Sequence, residues 1–150
     1  MKAPNFTLKD QFDQPHSLSD YQGKWLVIYF YPKDHTPGCT KQACSFRDFY
    51  QDIKDQGAQI LGISKDSVKS HSSFAVKYNL NFPILSDPQA DVIKAYGAWG
   101  EKLMFGKKYQ GALRHTFIIN PQGEIVKHYQ KVKPEDNARK VLIDLKELQA

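Results

Sequence analysis

Trp25-Leu26-Val27-Ile28-Tyr29-Phe30-Tyr31 is an unbroken apolar run with no alternation of polar and apolar residues. A strand with one solvated face alternates, so this run fits a strand covered on both faces, as in the parallel sheet of an α/β domain. It gives way to Pro32-Lys33-Asp34-His35-Thr36-Pro37-Gly38, and then to Cys39, Ala43, Phe46, Tyr50 and Ile53 at helical spacing. Pro37 suits the first helical position, where a missing amide hydrogen costs nothing, and Gly57 suits a left-handed cap at the far end. Cys39 therefore falls in the first turn of the helix. The carboxyl end of a buried strand running into a helix is the usual ligand-binding corner of an α/β sheet.

Free amides and the positive end of the helix dipole favour a thiolate over a thiol at such a place. On the residues alone, Cys39 reads either as a reactive nucleophile or as a small buried hydrophobe. The 150 residues, 41% of them hydrophobic, can bury one ordinary core, so a single domain spanning 1–150 is expected. Met1-Lys2-Ala3-Pro4-Asn5-Phe6 is no signal sequence, and no apolar run approaches the roughly 18 residues of a membrane span. A cytoplasmic protein without a membrane partner is the expectation. In a reducing compartment, a pair of cysteines five apart points to catalysis or metal binding, and no second Cys or His pair completes a zinc site. The net charge of +5 comes from 21 basic residues spread among 16 acidic ones, with no run longer than Lys107-Lys108 or Arg139-Lys140. That distribution reads as solvated surface, not a nucleic-acid site.

Phe6-Thr7-Leu8 and His16-Ser17-Leu18 flank a polar turn and suggest an N-terminal hairpin. Ala58–Ser64 reads as a second parallel strand. Asp66 is placed to cap a helix turning Val68, His71, Ala75 and Tyr78 inward, with no ligand role for His71. Asn81–Leu85 is a weak strand, and Asp87-Pro88 would open a short helix through Val92, Ile93 and Tyr96. The stretch from Ala98 to Gly111 lacks periodicity and reads as a loop or extension near the site. Leu113–Ile119 and Glu124–Tyr129 flank Asn120-Pro121-Gln122-Gly123, a hairpin signal, and Pro134 opens a last helix with Ala138, Val141, Leu142, Leu145 and Leu148 inward.

This order of elements resembles the thioredoxin fold, with an N-terminal β-hairpin and a mid-chain insertion added. The thioredoxin Cys-x-x-Cys motif is absent, since Thr40, Lys41 and Gln42 follow Cys39 and the second thiol comes only at Cys44. Pro32-x-x-x-Thr36-x-x-Cys39 instead resembles the peroxiredoxin active-site signature. Thr36-Pro37-Gly38-Cys39-Thr40, Ala43-Cys44 and Phe46-Arg47-Asp48 are similar to its bacterioferritin comigratory protein, or peroxiredoxin Q, subfamily. Ala3-Pro4-x-Phe6, Leu61-Gly62-Ile63-Ser64, Leu85-Ser86-Asp87, Gly97-x-Trp99-Gly100-Glu101-Lys102 and Arg114-x-Thr116-Phe117 extend the resemblance along nearly the whole chain.

The resemblance implies a thiol-dependent peroxidase reducing hydrogen peroxide and organic hydroperoxides through a sulfenic acid on Cys39. Cys44 takes the place of a resolving cysteine, and thioredoxin or glutaredoxin that of the reductant. Thr36 and Arg114 would supply donors to the peroxide and Pro32 would limit water. No metal, haem or flavin cofactor is implied, and a monomer is expected. Outside the resemblance, Thr36 reads as a loop hydroxyl at a helix cap and Arg114 as a strand-edge residue. Arg47 reads as an ion-pair residue or a second cation near the thiolate, and His35 is given no role. Many relatives carry Glu where this chain has Gln42, and Asp where it has Asn120. A peroxide-sensing thiol switch or a chaperone-like protein would use the same two cysteines, and a basic nucleic-acid-binding domain is the third alternative.

Overall fold

The computed structural model describes residues 1–150. The chain opens with β1 (Thr7–Lys9) and β2 (Pro15–Ser17), then passes through β3 (Trp25–Phe30) into α1 (Pro37–Asp55). It continues with β4 (Ala58–Ser64), α2 (Val68–Tyr78), β5 (Ile84–Ser86) and α3 (Asp91–Ala95). A hairpin of β6 (Trp99–Met104) and β7 (Lys107–Ala112) precedes β8 (Thr116–Ile119), β9 (Ile125–Tyr129) and α4 (Asn137–Leu148). Seven strands form one sheet in the order β2-β1-β5-β4-β3-β8-β9, with β3, β4 and β5 parallel and β8 and β9 antiparallel. The expected α/β architecture is present, with the N-terminal hairpin at one edge.

β3 fails to alternate because both of its faces are covered. Val27, Tyr29 and Tyr31 pack under α1 and α4 with Ala43, Phe46, Val141 and Leu145. Leu26, Ile28 and Phe30 lie on the other face with Phe6, Tyr96 and Phe117. Each side chain so enclosed contributes about 1.5–3 kcal/mol of transfer free energy, which makes β3 the most costly element to move. The end of this strand, where α1 begins, is accordingly well fixed.

Several details differ from the sequence reading. α4 starts at Asn137, three residues beyond Pro134, and Leu148 at its end is exposed, while the strand expected over Leu113–Ile119 begins only at Thr116. Residues 98–111 form most of the separate β6–β7 hairpin, not a loop; nearly all of its side chains are exposed or half-exposed, so no face imposes a period of two. Ser67, not Asp66, caps α2, accepting from the Ser70 amide at 3.1 Å. α3 starts only at Asp91, after Ala90 in a left-handed conformation, and Asp87 instead accepts from the Ile93 amide at 2.8 Å. The weak strand is shifted to Ile84–Ser86, because its pairing with Gly62–Ser64 selects the end of the apolar run. No helix is long and apolar enough to cross a membrane.

Tyr29 carries a polar group into this core without a partner. Its ring stacks on Phe46 with centroids 4.6 Å apart, and its hydroxyl is buried with no hydrogen bond. β4 makes room for it with Gly62, where a Cβ would stand 2.9 Å from the ring carbon bearing the hydroxyl. An unsatisfied buried hydroxyl costs about 1–3 kcal/mol, whereas the ring alone has no such penalty. Tyr29→Phe should therefore raise stability by about 1 kcal/mol, read as a higher urea midpoint at unchanged slope. A lower midpoint would mean that the hydroxyl is bonded in solution.

Candidate active site

Tyr31 ends the buried run, and the chain turns through Pro32–Thr36 with His35 in a left-handed conformation (φ 64°). Thr36 is the extended N-cap residue of α1 and Pro37 its first helical residue, as the sequence indicates. The Thr36 hydroxyl does not cap the helix; it donates to the Lys33 carbonyl at 2.7 Å and closes the loop on itself. The first-turn amides of Gly38 and Cys39 are thus free of side-chain capping. Cys39 is buried, with 1% of its surface exposed, because it is the first residue of the inner face of α1.

Arg114 reaches this thiol from across the sheet. It lies just before β8, not within a strand, and its Nη1 donates to Cys39 Sγ at 3.5 Å and to Gln42 Oε1 at 2.7 Å. Gln42 is fully buried and passes the contact on, its Nε2 donating to Asn137 Oδ1 at 3.1 Å. The Thr116 hydroxyl donates to the same Asn137 oxygen at 2.8 Å. The guanidinium is therefore positioned by a neutral amide network spanning α1, β8 and α4. No ion pair of the chain involves Arg114, so sulfur and an amide oxygen are its acceptors. Gly38 permits this approach: a Cβ there would meet Arg114 Nη2 at 3.1 Å.

A cavity of about 430 Å³ opens beside the thiol, lined on one wall by Pro32, Thr36, Cys39 and Arg114. The β6–β7 hairpin forms the opposite wall with Lys102, Met104 and Tyr109. Burial and the neighbouring Arg114 charge push the Lys102 ammonium below its ordinary value, with Cys39 acting in the opposite sense. Lys33 and Lys65 also line the cavity, and a cavity with four cationic side chains and no lining carboxylate suits a substrate on which negative charge develops.

Cys44 lies farther along α1 and is half-buried; both thiols are free. Arg47 is taken up elsewhere, donating to the Tyr78 carbonyl at 2.6 Å and to Asp48 at 3.0 Å, which ties α1 to the end of α2. Asn137 gives no sign of belonging to this corner in the sequence, whereas Lys102 lies in the 98–111 stretch expected near the site. Gln42 gives a partial sign, standing one helical turn beyond Cys39.

Residues 1–128 match the AhpC/TSA family, and peroxiredoxin Bcp of Bacillus subtilis is 43% identical over 147 residues, covering 98% of this chain and 94% of the relative. The chain belongs to the peroxiredoxins of the AhpC/TSA family. Bacterioferritin comigratory protein of Xanthomonas campestris, solved as a trapped intermediate/ligand complex and described for alkyl peroxide reduction, superimposes with a TM-score of 0.92 at 39% identity, covering 97% of this chain and 92% of that one. A PrxQ variant of Xylella fastidiosa gives 0.93 at 38% identity, covering 99% and 92%. The fold is thus the thioredoxin-like fold of the Bcp/PrxQ peroxiredoxins, which are thiol peroxidases.

In this peroxiredoxin the loop before Cys39 is clamped from below. Asp34 accepts from the Tyr31 hydroxyl at 2.7 Å and the Ser70 hydroxyl at 2.8 Å, and pairs with His71 Nδ1 at 2.7 Å. Its own amide donates to Asp66 at 2.9 Å. Asp34, Asp66 and His71 stand close enough to suggest a metal site, but His71 Nε2 meets the Leu85 carbonyl at 2.9 Å, so both ring nitrogens are engaged within the chain. Burial pushes the Asp34 carboxyl up, and the bonds from His71, Tyr31 and Ser70 outweigh it and hold the group below its ordinary 3.8. A depressed native value stabilises the fold above the unfolded value and loses that stabilisation as pH falls through the native one. Stability should therefore hold down to about pH 4 and drop below it, and Asp34→Asn should flatten that drop. Urea midpoints measured from about pH 6 to pH 3 give the comparison; parallel curves would remove Asp34 from the acid response.

Proposed function

We propose that Cys39 is the peroxidatic nucleophile with which this peroxiredoxin reduces hydrogen peroxide and organic hydroperoxides. The observation that carries the reading is Arg114, a permanent cation held 3.5 Å from Cys39 Sγ with no carboxylate to neutralise it. The thiolate sulfur attacks one peroxide oxygen. The S–O bond forms as the O–O bond breaks, and the departing oxygen takes a proton to leave as water or an alcohol. Sulfur is oxidised by two electrons to a sulfenic acid, and negative charge moves from sulfur to the leaving oxygen. Arg114 and the Gly38 and Cys39 amides follow that charge, and Thr36 turns its hydroxyl from the Lys33 carbonyl to the peroxide. Pro32 keeps water from the sulfur. The alkyl peroxide reduction described for the Xanthomonas relative supports the organic substrates.

Cys44 then attacks the sulfenic acid, expels water and closes an intramolecular disulfide. Five residues of helix give about 7.5 Å of rise and a Cα separation of about 8–9 Å, beyond the disulfide limit of about 7 Å. α1 must therefore unwind from about Pro37 to Phe46 in each cycle. The sequence offers no large apolar anchor in Thr40-Lys41-Gln42, but Gln42 is a polar one, and its bonds to Arg114 and Asn137 have to release. A dithiol protein, thioredoxin or glutaredoxin, reduces the disulfide by exchange. The cycle is that of a single-domain, monomeric, cytoplasmic enzyme, and as written it needs no metal, haem or flavin.

Cys39→Ser should abolish peroxide consumption at unchanged fold. Arg114→Ala should slow sulfenic acid formation by about 10²-fold in stopped flow, the cost of one lost charge-stabilising donor. An unaltered rate would return Arg114 to a structural role. Repeated turnover with a dithiol donor, against a single oxidation event, separates the enzyme from a peroxide-sensing switch.

Oxidation by one equivalent of peroxide should speed amide exchange across residues 37–46, and only when both thiols are present. Cys44→Ser should keep the helix, accumulate sulfenic acid and pass on to the sulfinic form at excess peroxide. An oxidised wild-type protein without a Cys39–Cys44 bond by mass spectrometry would replace this route with direct attack by an external thiol.

A further inference from the structure

The β6–β7 hairpin ends in three consecutive exposed apolar residues. Leu103, Met104 and Phe105 are 70%, 53% and 96% exposed, and none of them joins either core cluster. The two-residue turn is Phe105-Gly106, with φ of 51° and 76°, the arrangement of a tight hairpin turn with both central residues left-handed. Asn or Gly is the ordinary residue at the first of these positions, and a bulky aromatic there is strained. The turn therefore holds its aromatic ring in water at a conformational cost that an Asn would avoid.

Cations ring this tip. Lys107 pairs across the hairpin with Met104 and Lys108 with Leu103, both lysines exposed, while Glu101 is the hairpin's one acidic residue. Lys33 and Lys65 line the neighbouring cavity. A second copy is a poor occupant, because an isologous contact would bring the same lysines together. Three side chains also fall well short of the ~800 Å² per partner that a stable dimer needs. An apolar point surrounded by positive charge instead matches a surface that is anionic outside and hydrocarbon within.

We propose that the β6–β7 hairpin docks the protein on anionic phospholipid bilayers, with Phe105, Leu103 and Met104 entering the interface and Lys107 and Lys108 lying at the headgroups. This is surface attachment, compatible with the absence of a spanning helix. Met104 belongs both to the tip and to the cavity wall opposite Cys39, so docking sets the mouth of the cavity against the bilayer.

The experiment is co-sedimentation of the full chain with extruded vesicles of one part phosphatidylglycerol to three parts phosphatidylcholine, and with phosphatidylcholine alone. Binding to the anionic vesicles is expected to be at least tenfold tighter, and to weaken with added salt. Phe105→Asn, which suits the left-handed turn and leaves the cavity lining untouched, should cut that binding at least tenfold. It should leave reduction of hydrogen peroxide in solution unchanged. Lys107→Gln with Lys108→Gln should weaken binding and its salt dependence together. Absence of binding to anionic vesicles would overturn the proposal, as would Phe105→Asn binding like the wild type, which would reduce the effect to adsorption of a cationic protein. Dimerisation in sedimentation velocity that Phe105→Asn abolishes, without vesicle binding, would overturn it in favour of self-association. Vesicle binding does not depend on turnover, so this test can fail while the peroxidase assignment stands.

Discussion

A guanidinium set beside a buried thiol must be held by something, and what holds it decides what it can do. In this chain Arg114 is held by a sulfur and by the Gln42 amide oxygen. A carboxylate in the amide's place would fix the arginine more strongly but would also compensate its charge. The amide orients the side chain and leaves the charge to the sulfur. Gln42 can serve so because Asn137 accepts from its amide group, and because Thr116 completes that oxygen's partners. Each buried polar atom in the series has a partner, which lets a polar chain of this length lie in a packed interior.

The corner around Cys39 combines a fixed side with a releasable one. Tyr31, Asp34, Ser70 and His71 hold the loop to the end of β3 and to α2 with short bonds among buried and half-buried groups. On the α1 side, Gln42 makes two side-chain bonds, and Phe46 is the first large ring, stacked on Tyr29. Loss of structure that begins at Pro37 has little apolar area to expose until it meets that stack. The clamp keeps the entrance of the loop in register while the helix start changes.

How much of this the sequence discloses depends on the range of the interaction. The buried strand, the helix start and the thiol within it follow from local periodicity and from Pro37, and all are found where that pattern puts them. The β6–β7 hairpin was not legible, because alternation records burial of one face and this hairpin buries almost none. The N-cap of α2 moved by one residue, from Asp66 to Ser67, because Asp66 is used by the Asp34 amide, a contact across 32 residues. Asn137 stayed hidden for the same reason: an amide at the start of an amphipathic helix looks like a cap, and only the packing of α4 against α1 turns it inward.

That placement has a bearing on biosynthesis. Cys39, its loop and the first turns of α1 are made early, whereas the acceptor that steadies Gln42 belongs to α4. On a chain still leaving the ribosome, the thiol is present before the amide network that orients Arg114 beside it. Maturation of the site is thereby tied to docking of the C-terminal helix, and a nascent or truncated chain lacking α4 carries the cysteine without the apparatus arranged around it.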